Sequence, residues 1–217
     1  MKKACLLIVC LLLLTGCTTE QNYSGASVMV YNGELYDFQS NSRWQTVNGT
    51  AEWETVYVGF VDEENIDATV SYTKKAKILK NNPESLVIAY GILETNYYIK
   101  RGAIPSVYSE RVEKVVFSDG VSTVTLEQEN LQLWMDFLRQ CHANPTSCQT
   151  EPWKKGVPDG FIYVYFSDFP LYYFFGYFGF SASGQLGFSA WDFEEYNTQC
   201  ILLPENIAAC MVSLLSC

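Results

Sequence analysis

Alternation of apolar and polar positions governs most of the chain. Val28–Tyr31 and Glu34–Tyr36 flank Asn32-Gly33. Such a pair between β-prone runs predicts a tight hairpin, because both central residues tolerate positive φ. In Trp53–Val61, Val56, Val58 and Phe60 alternate with Thr55, Tyr57 and Gly59, which predicts a half-buried strand ended by Asp62-Glu63-Glu64-Asn65. Leu86–Leu93 and Asn96–Ile99 predict two more strands around Gly91. Residues 27–104 show no helical period, so this half reads as a small all-β unit.

Ile104-Pro105-Ser106 marks a boundary, since proline interrupts strand pairing. Beyond it, Val112–Phe117 and Val121–Leu126 predict a second hairpin about Ser118-Asp119-Gly120. Thr125-Leu126-Glu127-Gln128 has capping-box spacing. Leu131, Trp134, Phe137 and Leu138 then follow a helical period, which predicts a helix over Gln128–Gln140. A polar loop holds Cys141, His142, Pro145, Cys148, Pro152, Pro158 and Gly160. Phe161–Phe166, Leu171–Phe180 and Gln185–Trp191 predict three strands separated by Asp168-Phe169-Pro170 and Ser183-Gly184. Pro204 suits the first turn of a last helix with Ile207, Met211 and Leu214 or Leu215 buried. Antiparallel strands with segregated helices make the expected class α+β: a small all-β N-terminal unit, then an antiparallel sheet with two helices.

The first residues carry a different pattern. Lys2 and Lys3 precede an apolar run from Ala4 to Leu14, about eleven residues where a spanning helix needs roughly 20. That is a secretory signal rather than a membrane span. Leu14-Thr15-Gly16-Cys17 follows at once and resembles the lipobox of bacterial lipoproteins. The resemblance implies cleavage before Cys17, lipidation of its thiol and acylation of the new amino terminus. Two or more acyl chains hold a protein stably to a membrane where one does not. The alternative is an ordinary secretory signal with Cys17 incidental. The expected organisation is a signal peptide over 1–16, a lipidated tether over 17–26, a small β domain over 27–104 and an α+β domain over 105–217. Tyr31-Asn32-Gly33, Tyr57-Val58-Gly59-Phe60 and Tyr97-Tyr98-Ile99, with the later Asp-Gly hairpin, aromatic strands and Leu203-Pro204-Glu205, look like small Gram-positive lipoproteins carrying a domain of unknown function. That resemblance implies a layout and assigns no catalytic residue.

Charge narrows the partners. The chain has 14 Lys plus Arg against 24 Asp plus Glu, and loss of residues 1–16 would leave 12 basic residues and a net charge of −12. An acidic chain without a basic cluster is a poor match for nucleic acid or an anionic bilayer. One histidine, His142, leaves little room for a His-based triad or a multi-His metal site. No cofactor or metal site is expected: Cys141 and His142 are adjacent and diverge, and structural zinc wants four ligands. Asp62, Glu63, Glu64 and Asp67 lack EF-hand spacing and read as a solvated turn. Outside the cytoplasm thiols pair by default. Cys141–Cys148 would close an eight-residue loop, contributing about 2.5 kcal/mol by chain entropy, and Cys200–Cys210 would tie the last strand to the last helix.

The remaining feature is aromatic density, 15% overall and concentrated between Phe161 and Phe193. Strand alternation puts Tyr163 and Tyr165 on one face, and Tyr172 and Phe174 on one face of the next strand. That face either packs on the N-terminal unit or a loop, or it is an open platform for a partner. The expected function is a non-catalytic binding module, held to the extracytoplasmic face of the cell membrane through lipid on Cys17. Its partner would be another envelope protein or a small ligand. An envelope-polymer hydrolase using carboxylates and a purely structural lipoprotein are the alternatives.

Overall fold

The computed structural model describes residues 27–40, 42–47, 52–66, 69–80, 86–91, 96–190 and 198–212. The expected signal peptide, Cys17 and the expected tether lie outside these, as do Trp191, Phe193, Leu214, Leu215 and Cys217.

The expectation of an α+β chain is overturned. Half of the residues are strand and 17% are helical, which makes the protein mostly β. The reason is that four strands lack the pattern that announces a strand. Trp44–Thr46 and Thr150–Pro152 are three residues each, Gln199–Leu202 is four, and Lys74–Leu79 is half lysine.

The first half is a closed six-stranded barrel. Its strands are β1 (Ser27–Tyr31), β2 (Glu34–Gln39), β4 (Trp53–Asp62), β5 (Lys74–Leu79), β6 (Val87–Tyr90) and β7 (Asn96–Lys100). They run in the order β1-β2-β7-β6-β5-β4, all antiparallel, and β1 closes on β4. Asn32 (φ 51°) and Gly33 (φ 80°) turn the first hairpin, as the Asn-Gly pair predicts. A barrel this narrow is filled by its own side chains. Met29, Tyr36, Val58, Ala76, Ile78, Ile88 and Tyr98 form that filling, with Phe60 and Tyr90 packed against it.

The second half is an open antiparallel sheet. Its strands are β3 (Trp44–Thr46), β8 (Val112–Ser118), β9 (Thr123–Leu126), β10 (Thr150–Pro152), β11 (Gly160–Phe166), β12 (Leu171–Phe180), β13 (Leu186–Ala190) and β14 (Gln199–Leu202). The order is β10-β14-β13-β12-β11-β8-β9, and β3 joins the N-terminal end of β12. Helix α1 (Gln128–Ala143) covers one face with Trp134, Met135, Leu138 and Cys141. It starts without the expected capping box: Glu127 is the N-cap, and no side chain caps the helix. It also runs past Gln140, which places Cys141 and His142 in its last turn. Helix α2 (Glu205–Val212) buries Ile207 and Met211.

The halves share one core. Val87 and Ile99 are a directly opposed pair on β6 and β7. Both point out of the barrel into the cluster built by Phe117, Trp134, Ile162, Phe175 and Phe188. Trp44 seals the junction, its ring 5.0 Å from Tyr173 and 5.5 Å from Phe169. β3, from the first half of the sequence, thus belongs to the second sheet.

Candidate binding face

Strand alternation places Phe161, Tyr163 and Tyr165 of β11 on the face opposite α1, while Ile162, Val164 and Phe166 enter the core. Along β12, Tyr172 and Phe174 join the outer set, and Leu171, Tyr173 and Phe175 face inward. A register shift then intervenes. Ile162 pairs with Gly176 and Tyr163 with Phe174, so Phe175 is an extra residue. A bulge of this kind flips the parity beyond it. Tyr177 therefore opposes Phe161 on the outer face, and Phe178 enters the core beside Phe175. Gly176 permits the bulge: a Cβ there would sit 2.0 Å from the Ser189 carbonyl oxygen.

The outer rings touch in series. Tyr163 is 5.4 Å from Tyr172, edge to face, and 5.8 Å from Phe174. Tyr165 stacks on Tyr172 at 5.0 Å, and Phe161 lies 6.1 Å from Phe174 and 5.9 Å from Tyr177. Such pairs add about 0.5–1.5 kcal/mol beyond area burial, so the row holds its own shape. Phe161 is 41% exposed; the three tyrosines and Phe174 are half-buried. Lys114 on β8 opposes Tyr165 and holds its ammonium 5.0 Å from that ring's centre. The Tyr172 hydroxyl donates to the Gln45 side-chain carbonyl on β3. Burial pushes the Tyr163, Tyr165 and Tyr172 phenols above their ordinary value. For Tyr165 and Tyr172, charge on neighbouring tyrosines adds to the rise. All three therefore stay neutral and able to donate at ordinary pH.

On the barrel, Tyr97 and Trp53 pack against the shared core rather than extending this row. Tyr97 on β7 shares a side-chain hydrogen bond with Thr46 of β3, and its charge would raise Tyr172 further. Trp53 of β4 stacks on Tyr97 at 15° between planes and 6.5 Å between ring centres.

The structure thus brings Tyr163, Tyr165, Tyr172 and Phe174 together on one face, clear of α1. Phe161, Tyr177 and Gln45 were missed by sequence reasoning. Strict alternation already placed Phe161 with Tyr163. A glycine inside the β12 pattern was the available sign of a bulge, and so of Tyr177. No sequence signal pointed to Gln45, which arrives through the excursion of β3.

The cysteine expectations divide. Cys141 and Cys148 form a disulfide, with Cα atoms 5.9 Å apart. The expected Cys200–Cys210 bridge is not made: Cys200 is a free, fully buried thiol whose Sγ donates to the Glu151 carbonyl at 3.4 Å. β14 holds Cys200 inward beside Gly187, where β13 passes too close to admit a Cβ. His142 is solvent-exposed, but in the last turn of α1 rather than in a loop, and its ring stacks on Tyr108 at 4.3 Å.

Two carboxylates, Asp37 and Glu63, meet at one nitrogen of Arg101, outside both clefts described below. Asp37 and Glu63 both bind Arg101, Glu34 binds Lys100, and Asp159 binds Lys155. A cleft of about 240 Å³ at the junction, lined by Gln39, Arg43, Trp44 and Tyr108, carries no carboxylate. A second of about 320 Å³ beside Cys148 carries only Glu205. No group of three His, Cys, Asp or Glu side chains converges for a metal among the described residues. No helix among them is long and apolar enough to cross a membrane.

Fold and face together define a two-part β protein: a closed barrel fused through a shared core to an aromatic-faced sheet. No protein-family model, curated protein or solved structure matches the chain.

Proposed function

We propose that this is an extracytoplasmic lipoprotein, anchored through Cys17, whose aromatic sheet face is a binding surface without catalytic duty. The contiguous row Phe161, Tyr163, Tyr165, Tyr172 carries the reading. Evolved cores cover aromatic rings; here α1 and α2 take one face of the sheet, and the opposite face keeps a tyrosine row. Tyrosine suits a wet interface because it joins a large apolar ring to a hydrogen-bonding tip. The acidic balance directs the protein away from polyanions.

Crosslinking on intact cells tests both parts. The anchored protein should capture a discrete envelope component, and Tyr163→Ser with Tyr165→Ser should abolish that capture. Undiminished capture by the double variant would remove the face from the function. Cys17→Ser should lose metabolic fatty-acid label and leave the membrane fraction; retention with label would sink the anchor.

A further inference from the structure

We infer that the edge strand β9 pairs antiparallel with β9 of a second copy of this chain, joining two open sheets into one about a twofold axis at Val124. The inference goes beyond the binding-face reading and stands without it. Three observations carry it.

The first is a difference between the two edges of the sheet. The strand order ends on β10 at one side and on β9 at the other. Proline, lysine, bulges and covering elements are the devices that keep an edge from pairing. β10 is guarded: Pro152 has no N–H to offer, and its carbonyl accepts from the Ala182 N–H at 2.8 Å. β9 reads Thr123-Val124-Thr125-Leu126, without proline or charge, and pairs with β8 without a register shift. Thr123 and Thr125 are exposed. Among the described residues, no backbone group bonds to either of them from beyond the sheet.

The second is what that edge presents. The Asp119 N–H donates to the Ser122 carbonyl at 3.3 Å, so the pair that closes the β8–β9 turn is a bonded one. Along an antiparallel ladder, bonded and non-bonded pairs alternate. Thr123 opposite Ser118 and Thr125 opposite Val116 are then non-bonded pairs, with the bonded pair of Val124 and Phe117 between them. The N–H and C=O groups of Thr123 and Thr125 therefore point away from β8, into the open edge.

The third is self-complementarity. Thr-Val-Thr reads the same in both directions. Antiparallel about Val124, Thr123 of each copy meets Thr125 of the other, and every outward N–H and C=O of these threonines finds its complement. A shift of two residues sets Thr123 against Glu127 or Thr125 against Val121, which lie outside the strand. An unrelated extended peptide could use the same backbone groups. Only the second copy also sets threonine opposite threonine on one face and valine opposite valine on the other, the cross-strand matches that stabilise sheets. One patch meeting itself is the isologous contact of a closed dimer.

The pairing has a consequence for the aromatic face. Tyr163 opposes Val116, and Val116 opposes Thr125, so Thr125 lies on the same face as the tyrosine row. A twofold axis perpendicular to the sheet keeps both rows on one side, five strand spacings or roughly 24 Å apart. A three-residue ladder buries far less than the ~1,200–2,000 Å² of a stable interface, so the association is weak and is read by trapping.

The test is disulfide trapping of the full-length protein in detergent, at high protein concentration with diamide as oxidant. Residues opposed at a non-bonded position have Cα atoms about 4.5 Å apart, within the roughly 4.4–6.8 Å that a disulfide spans. Val124→Cys should form covalent dimer at least fivefold faster than the parent chain or Glu127→Cys, whose two copies stay six residues out of register. Thr123→Cys mixed with Thr125→Cys should form the mixed dimer faster than either forms its own; both positions are exposed, so folding is not at stake. Thr125→Pro added to Val124→Cys should slow trapping fivefold or more and leave the urea midpoint unchanged, because the lost N–H points outward. Thr123→Lys with Thr125→Lys should suppress trapping of Val124→Cys, and mixing with a Thr123→Glu, Thr125→Glu copy should restore it, which a misfolded chain would not do. Equal trapping at positions 124 and 127, indifference to Thr125→Pro, or no pairing between the Lys and Glu copies would each overturn the inference.

Discussion

The barrel and the sheet solve one problem in opposite ways. Every described strand carries one face that must leave water, and an edge that must not pair indiscriminately with other chains. The barrel closes on itself, so β1 meets β4 and six strands present no edge. Its inner face is filled by its own side chains, among them Tyr36 and Tyr98. The sheet stays open, so it needs other elements to cover it. α1, α2 and the barrel wall at Val87 and Ile99 cover one side, and the tyrosine row occupies the other. Closure buries the barrel's inner face within itself, whereas the open sheet leaves one face outside the shared core. The proposed binding surface is that face.

The largest test of the contrast targets the two fillings. Trp134 is fully buried, with edge contacts to Phe117 at 5.2 Å and Phe188 at 5.1 Å. Trp134→Ala should cost roughly 3–5 kcal/mol, and Met29→Ala in the barrel roughly 2–5 kcal/mol. Because Val87 and Ile99 belong to the sheet's core, both variants should shift one urea transition. Two separated transitions would break the shared-core account. Next comes the bridge, which belongs to the sheet half alone. Cys148→Ser, or reductant, should lower stability by up to about 2.5 kcal/mol. An unchanged urea midpoint would deny the bridge its role.

Alkaline pH separates the halves by onset. Burial pushes the Cys200 thiol up to about 11, with Glu151 adding to the rise, and pushes the Tyr36 phenol up to about 12. Each group ionises more readily unfolded, at roughly 8.5 for a thiol and 10 for a phenol. The unfolded chain therefore releases protons first, and stability falls as pH rises between the two values. The sheet's loss begins near pH 8.5 and ends near 11; the Tyr36 loss begins near 10 and ends near 12. Urea midpoints against pH should show Cys200→Ala removing the earlier loss and Tyr36→Phe the later one. A pH profile that ignores Cys200→Ala would contradict the buried thiol. The smallest effect concerns the join between the parts. Tyr172→Phe removes the donor to Gln45 and should cost about 1 kcal/mol in the same assay. A loss several times larger would mean that this bond, rather than Trp44, holds β3 in place.

Legibility followed the length and purity of each pattern. Asn32-Gly33 announced its hairpin because a two-residue turn has few chemical solutions, and β12 was visible as ten β-prone residues. Tyr163, Tyr165, Tyr172 and Phe174 shared a face because alternation is local. β5 was hidden, since Lys74, Lys75 and Lys77 mask the buried Ala76, Ile78 and Leu79. β3, β10 and β14 are too short to show a period, and they tipped the chain from α+β to mostly β. The Cys200–Cys210 pairing failed because a bridge depends on where two Cα atoms arrive in space, which spacing along the chain does not constrain.

Local chemistry alone determined the turns, the long strands, the helical face of Trp134 and Leu138, and which aromatic residues alternate outward. These depend on a residue and its near neighbours. Tertiary structure decided the rest: closure of β1 on β4, passage of β3 into the second sheet, the bulge at Phe175 that turned Tyr177 outward, and the stacking of Trp53 on Tyr97 against the shared core. Each of those depends on segments far apart in sequence meeting at a few ångströms. Their free energy comes from a shared core that exists only once both halves have folded.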